Sequence, residues 1–337
     1  MGDPFKEIPE HTGEEPFIYL KNYLESFGYE IRLFSNDYIH DAAWIFFWDI
    51  PSGLISRSCG IKILNPFSRI IPNIVSYIKI RKFEKILNQF SNRGLRDKLV
   101  LFLWEPPAVL PQNYNRNLHS KFKYIFTWND AFVDTKKYIK YYWPQNGNTP
   151  VFLDNLFHNR KLIVNISGNK TSTHTDELYS ERNKFIRYCE KAIPTDFDLF
   201  GPGWEADSLG TKYPSWCGTV KNKSEIYSNY KFGLVYENMK NIDGWVSEKI
   251  FDCIRCGCVP IYWGASNIEN YVHSKSFIDR RMFESEEDLI NYLSSITEKR
   301  WIAFREAGKN YINSDDFAKF LPANFSSIIL NKLVSND

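Results

Sequence analysis

The chain has 337 residues, which at roughly 150 residues per domain favours two domains over one, and a chain of that size holds a core without disulfides or a metal. Its 42 basic and 40 acidic side chains leave a net charge of +2, so the electrostatic footprint of a dedicated nucleic-acid binder is missing. A hydrophobic content of 43% argues against disorder, and the 17% aromatic share leaves two uses for the rings: core, or platforms on which a sugar's CH face or a base stacks.

The start, Met1-Gly-Asp-Pro-Phe-Lys6, is acidic and proline-bearing, with no basic region leading into an apolar core, so no signal peptide is readable; Gly2 also lacks the Ser or Thr that myristoylation prefers. Glu15 to Phe27 then reads as a helix with Phe17, Leu20, Leu24 and Phe27 on one face, and Tyr29 to Phe34 as a strand. Ala42 to Trp48 is the longest apolar run and falls far short of the ~20 residues that span a bilayer. A helix around Ser76 to Phe90 carries Lys79, Arg81, Lys82 and Lys85 opposite Ile80, Phe83, Leu87 and Phe90. It reads first as a solvated face over a core stripe, and it also fits a peripheral contact with an anionic membrane. Strands follow at Lys98 to Trp104 and Phe122 to Trp128.

After the turn-rich Pro144-Gln-Asn-Gly-Asn-Thr-Pro150 the pattern restarts. Strands are expected at Leu162 to Ser167, Phe197 to Phe200, Phe232 to Tyr236 and Val259 to Trp263, and helices at Asp176 to Ala192, Ser247 to Cys256, and from Glu286 and Glu298. Strands alternating with helices imply parallel sheets covered on both faces. The expectation is an α/β chain of two Rossmann-like domains, 1–150 and 151–310, facing across a cleft, with a helical segment 311–337 packing back on the first. Ligands of such sheets bind beyond the carboxyl ends of the strands.

Six cysteines stand at 59, 189, 217, 253, 256 and 258. Cys253-x-x-Cys256-x-Cys258 lacks the fourth ligand of a structural zinc, so these read as small buried thiols at a helix-to-strand turn. Reduced thiols without an export signal favour the cytoplasm.

The most informative stretch runs from Lys231 to Gly264: strand, polar loop, helix, strand, glycine turn. Ser247 is placed to cap the helix, and Glu248 and Lys249 fall in its first turn. A lysine at the positive end of a helix calls for a nearby anion, and a diphosphate meets that need. Glu248, repelled by phosphates, suits a ribose diol. Spacing alone equally allows a solvated first turn.

The run Phe232-Gly-Leu-Val-Tyr-Glu-Asn238, then Trp245-Val-Ser-Glu-Lys-Ile250 and Val259-Pro-Ile-Tyr-Trp-Gly264, resembles the donor-binding motif of glycosyltransferase family 10, the α-1,3/1,4-fucosyltransferases. The resemblance implies a GT-B fold and an inverting transfer of L-fucose from GDP-fucose to a glycan acceptor of N-acetyllactosamine type, with no tightly bound cofactor and no bound metal site, although Mn or Mg is able to stimulate. It places Asn238, Trp245, Glu248 and Lys249 at the donor. Trp245 stands where the family has tyrosine and loses the phenolic hydroxyl, Ser247 replaces threonine, and the loop from Asn238 to Trp245 is one residue longer.

Upstream, Leu101-Phe-Leu-Trp-Glu105-Pro resembles the family's first-domain strand ending in the catalytic base, Glu105; without the resemblance it reads as a surface carboxylate. Ser180-Glu-Arg182 resembles the helix giving a phosphate-binding arginine, Arg182, and the loop around Ser167 offers backbone N–H groups to phosphate. Asp196-Phe-Asp198 spells the metal-binding pattern of GT-A transferases but alternates along a strand and reads as structural. Trp104, Trp128, Trp245 and Trp263 are expected near the cleft as sugar-stacking rings. Two rivals remain: the same fold with another nucleotide-sugar, and a non-catalytic carbohydrate-binding protein.

Overall fold

The computed structural model describes residues 15–32, 41–50, 72–146 and 157–334. In chain order the elements are α1 (Glu15–Ser26), β1 (Ile45–Trp48), α2 (Pro72–Asn92), β2 (Leu99–Leu103), α3 (Arg116–His119), β3 (Tyr124–Thr127), β4 (Tyr138–Lys140), β5 (Lys161–Ile166), α4 (Tyr179–Ala192) and β6 (Phe197–Phe200). They continue with α5 (Lys223–Tyr227), β7 (Tyr230–Tyr236), α6 (Glu248–Arg255), β8 (Val259–Trp263), β9 (Ile278–Asp279), α7 (Glu286–Ser295), α8 (Glu298–Ile312), α9 (Asp315–Ala318) and α10 (Pro322–Val334). The expected strand at Tyr29 to Phe34 is not formed over residues 29–32, and its remainder lies outside the described residues. β4 and β9 are too short to announce themselves by periodicity.

Two units emerge, Phe34–Tyr141 and a larger one of Met1–Leu33 with Tyr142–Asp337. The division therefore does not follow a single cut near residue 150: α1, with Leu20 and Leu24 buried, packs on α10 within the larger unit. The carboxyl-terminal segment is thus paired with a helix that the sequence assigns to the first domain.

The smaller unit is a four-stranded sheet in the order β1-β2-β3-β4, every pair parallel. All five residues of β2 are buried, so the strand reads as a continuous apolar run. Leu99, Leu101 and Leu103 face Phe83, Leu87 and Phe90 of α2, the apolar stripe expected of that helix. On the opposite face Phe102 is sandwiched between Trp48 at 4.2 Å and Phe126 at 4.7 Å.

The larger unit is a five-stranded sheet in the order β6-β5-β7-β8-β9, again parallel throughout. One face carries the core of α4, α7 and Trp301 of α8, and the other that of α5, α6 and α9. β7 lies at the centre of the sheet, and α6 approaches it closely: a Cβ at Gly233 would meet Cys253 Sγ at 2.7 Å and the Tyr227 ring at 2.9 Å. Cys253, Cys256 and Cys258 are buried free thiols around the α6–β8 turn, and burial holds the Cys253 thiol well above its ordinary pKa. Among the described residues, no helix is long and apolar enough to cross a membrane.

Candidate active site

The amino end of α6 is set by Ser247, which adopts extended backbone and accepts the Lys249 N–H as a helix cap. Ile250, Phe251, Cys253 and Ile254 anchor the helix in the core, which fixes where its first turn opens. Beside that turn, at the carboxyl end of β7, stands Glu237. Its N–H prolongs the ladder to Trp263 O at 2.8 Å, and its side chain is completely buried.

A charge in such a place needs donors on every side. Glu237 Oε1 receives the Ser247 N–H at 2.9 Å, the Ser247 hydroxyl donates at 2.8–2.9 Å, and Lys249 Nζ lies 3.1 Å from Oε2. Lys249 Nζ also donates to Ser247 Oγ at 2.9 Å. Burial opposes the Lys249 charge, but the carboxylates of Glu237 and Glu248 outweigh it and hold the ammonium above its ordinary pKa. The lysine called for by an anion thus already has one, and it comes from the protein. Gly264 makes room for the arrangement, since a Cβ there would sit 2.5 Å from both Glu237 Cγ and the Tyr262 hydroxyl.

Arg182, from the first turn of α4, reaches the same strand end. Only 3% exposed, it donates to Tyr236 O at 2.6 Å and Glu237 O at 3.1 Å, and burial lowers its pKa. Glu248 keeps 42% of its side chain exposed at the mouth of the turn; against the cost of burial, Lys249 and Lys223 hold its carboxyl below the ordinary range. Asn238 is half-buried in the loop that follows, its carbonyl accepting the Leu178 N–H at 3.1 Å. The structure therefore gathers Arg182, Glu248 and Lys249 at one sheet edge around Glu237. The signal for Glu237 is a carboxylate directly after the apolar run Phe232 to Tyr236.

Other expectations fall elsewhere. Trp245 is 1% exposed and packs edge-on against Trp143 at 5.0 Å, and Trp128 is fully buried; enclosed rings offer no face to a sugar, so both are corrected to core. Trp263 is half-buried, with the Lys240 ammonium 4.9 Å from its ring centre. The Ser167 N–H donates to Phe200 O and that of Asn169 to Pro202 O, each at 3.0 Å, while Ser167 Oγ donates to Asn165 at 2.7 Å. These two amides are committed to the neighbouring strand end, not held out for a phosphate. Asp198 is paired with Lys161 at 2.7 Å and accepts from the Tyr230 hydroxyl.

In the smaller unit Glu105 is half-buried just beyond the carboxyl end of β2. Its N–H donates to Asp49 Oδ1 at 3.1 Å, and its carbonyl accepts from the Tyr114 hydroxyl at 3.2 Å. The Trp104 ring beside it stacks on Tyr141 at 5.8 Å.

Residues 159–305 match the model of the glycosyltransferase family 10 (fucosyltransferase) C-terminal domain. The α-(1,3)-fucosyltransferase FucT of Helicobacter pylori is 32% identical over 107 residues, covering 32% of this chain and 22% of its own length. Protein R654 of Acanthamoeba polyphaga mimivirus is 36% identical over 265 residues, 70% of this chain and 41% of its own. The chain thus spans well under half the length of these curated relatives. Among solved structures, Anabaena Alr3699/HepE in complex with UDP and glucose superposes with a TM-score of 0.50 over 80% of this chain and 83% of that one, at 12% identity. That likeness concerns the fold alone, and the two parallel-sheet units are of the GT-B class. Residues 159–305, with the Glu237, Ser247 and Lys249 cluster inside them, form a glycosyltransferase family 10 domain.

Proposed function

We propose that the chain is an inverting fucosyltransferase that moves L-fucose from GDP-fucose to a hydroxyl of a glycan acceptor, forming an α-1,3 linkage. The observation that carries this reading is the cluster at the start of α6: an ammonium, held by Glu237 and Ser247, in the first turn of a helix at the carboxyl edge of a parallel sheet, where α/β folds take nucleotides. The family match over the same residues and the names of the relatives support the donor.

In the reaction the acceptor oxygen attacks the anomeric carbon as the bond from that carbon to the diphosphate oxygen breaks. Lys249, the first-turn amides of α6 and the short-range charge of Arg182 stabilise the departing GDP, so the leaving group needs no general acid. Glu248 accepts from the ribose diol, and Asn238 borders the donor. Glu105 takes the proton from the acceptor hydroxyl, and attack opposite the leaving group inverts the anomeric configuration.

A second reading keeps the fold with another nucleotide-sugar; it is favoured by Trp245, whose enclosed indole leaves the donor loop without the phenolic hydroxyl that the family resemblance leads one to expect. A glycan array supplied in turn with GDP-fucose, GDP-mannose and UDP-sugars, followed by linkage analysis, separates the two. Release of GDP from GDP-fucose with α-1,3-linked product is expected. Release from a different donor alone moves the assignment to the second reading, and glycan binding without turnover of any donor makes the chain a binding protein. Glu105→Gln is expected to slow transfer by about 10²- to 10⁴-fold; transfer at the unmodified rate removes Glu105 as the base.

A further inference from the structure

The smaller unit buries a second carboxylate that the reaction above does not use. Asp49 directly follows β1, its own N–H still joined to Phe102 O at 2.9 Å. Its backbone then enters the left-handed region, φ 60°, which among L residues Asn and Asp adopt most readily. That turn carries the side chain across the end of β2. There Oδ1 receives three N–H donors: Trp104 N at 2.7 Å, Glu105 N at 3.1 Å and Asn113 Nδ2 at 2.5 Å. Trp104 and Glu105 lie past Leu103, the last residue of β2, so Asp49 receives amides that have run beyond the strand.

The other side of Glu105 is held as well. Its carbonyl accepts from Tyr114 OH and, at 3.3 Å, from Asn113 Nδ2, so the fully buried Asn113 touches both Asp49 and Glu105. Pro106 confines the residue before it to extended backbone. Both peptide planes flanking the Glu105 Cα are therefore fixed, and with them the direction of its Cα–Cβ bond. A neutral Asn could receive the two amides without burying a charge; a carboxylate that is only 9% exposed makes shorter, stronger bonds at a desolvation cost.

We propose that Asp49 is a positioning residue for Glu105, presetting the direction of the base by holding the peptide on its amino side. The proposal rests on the reading of Glu105 as the base. The test compares the full chain with Asp49→Gly, which removes the side chain without straining the left-handed backbone, Asp49→Asn, which keeps an accepting oxygen there, and Glu105→Gln. GDP release from GDP-fucose is measured with N-acetyllactosamine as acceptor. Asp49→Gly is expected to lower kcat about 100-fold, the scale of a misplaced catalytic group, with KM for GDP-fucose unmoved, and Asp49→Asn to recover most of that loss. If Asp49→Gly does not fold, Asp49→Ser, whose oxygen is one atom too short, carries the same expectation.

Independently of turnover, hydrogen exchange across Trp104 and Glu105 should quicken in Asp49→Gly and return in Asp49→Asn. Unchanged exchange, or a kcat equal to that of the unmodified chain while Glu105→Gln is inactive, overturns the role of Asp49. A fully active Glu105→Gln beside a slow Asp49→Gly overturns the base assignment instead.

Discussion

Replacing Glu237 by glutamine removes one charge from the interior of the larger unit and leaves the shape of the side chain in place. The carboxylate has two tasks: it receives Ser247 through both N–H and O–H, and it neutralises Lys249 at 3.1 Å. At an effective dielectric of about 20, that separation corresponds to roughly 5 kcal/mol of attraction, which the cost of burying the pair reduces. The glutamine oxygen can still take one of these donors, but its NH₂ must face the Ser247 amide or the lysine ammonium, both donors themselves. Breaking a buried pair from one side costs about 3 to 5 kcal/mol, and that is the loss expected for Glu237→Gln in urea unfolding at pH 7. Lys249→Met should cost a comparable amount by stranding Glu237. The double variant leaves no unpaired charge, so its loss should fall short of the sum by about 1 to 3 kcal/mol. Additive losses, or a Glu237→Gln chain within about 0.5 kcal/mol of the unmodified protein, would refute the coupling and with it the idea that Glu237 holds Lys249 in place.

Gly264→Ala should cost about 1 to 3 kcal/mol by forcing its methyl group onto Glu237 Cγ and the Tyr262 hydroxyl; an unchanged thermal midpoint would show that the strand end has slack. Burial, opposed by the amides of Glu105 and Trp104, pushes the Asp49 carboxyl up from 3.8 to about 6. A raised carboxyl binds its proton more tightly in the folded chain, so its contribution to stability, ~3 kcal/mol in all, is greatest below pH 3.8 and is lost by about pH 6. Asp49→Asn carries no such proton, so its stability relative to the unmodified chain should rise between pH 4 and pH 7, and a pH-independent difference in urea unfolding would contradict this. Arg81, Lys85 and Arg93 are exposed on or beside α2 while Phe83, Leu87 and Phe90 are buried. If this face meets anionic lipid, Lys85→Glu with Arg93→Glu should abolish sedimentation with phosphatidylserine vesicles; sedimentation that persists in this variant, or is absent from the unmodified chain, excludes the contact.

Much of the framework was legible because it is written in local pattern. β2 and β8 are apolar runs of strand length, and α6 announces itself by a capping serine and buried residues at helical spacing. Glu248 and Lys249 could be placed because the first turn of a helix is a position with known electrostatics. Glu237 and Asp49 escaped for the opposite reason. Each is a lone carboxylate at a strand end, and its meaning lies in donors supplied 10 and 12 residues away for Glu237 and 55 to 64 residues away for Asp49. The burial of Trp245 is not legible in the sequence, since a loop tryptophan near a donor motif suggests a platform, whereas its enclosure depends on Trp143, a residue from another segment. The pairing of α1 with α10 was likewise invisible to any local window.

That pairing bears on how the protein is made. About 300 residues separate the end of α1 at Ser26 from the start of α10 at Pro322. At synthesis rates of ~5 to 20 residues per second, Leu20 and Leu24 wait roughly 15 to 60 s for the helix that covers them. The smaller unit, whose strands all fall between residues 45 and 140, can close its sheet during that interval. The nascent chain therefore carries an uncovered amphipathic helix through most of its synthesis, a natural handle for a chaperone and the segment most exposed to aggregation if elongation stalls.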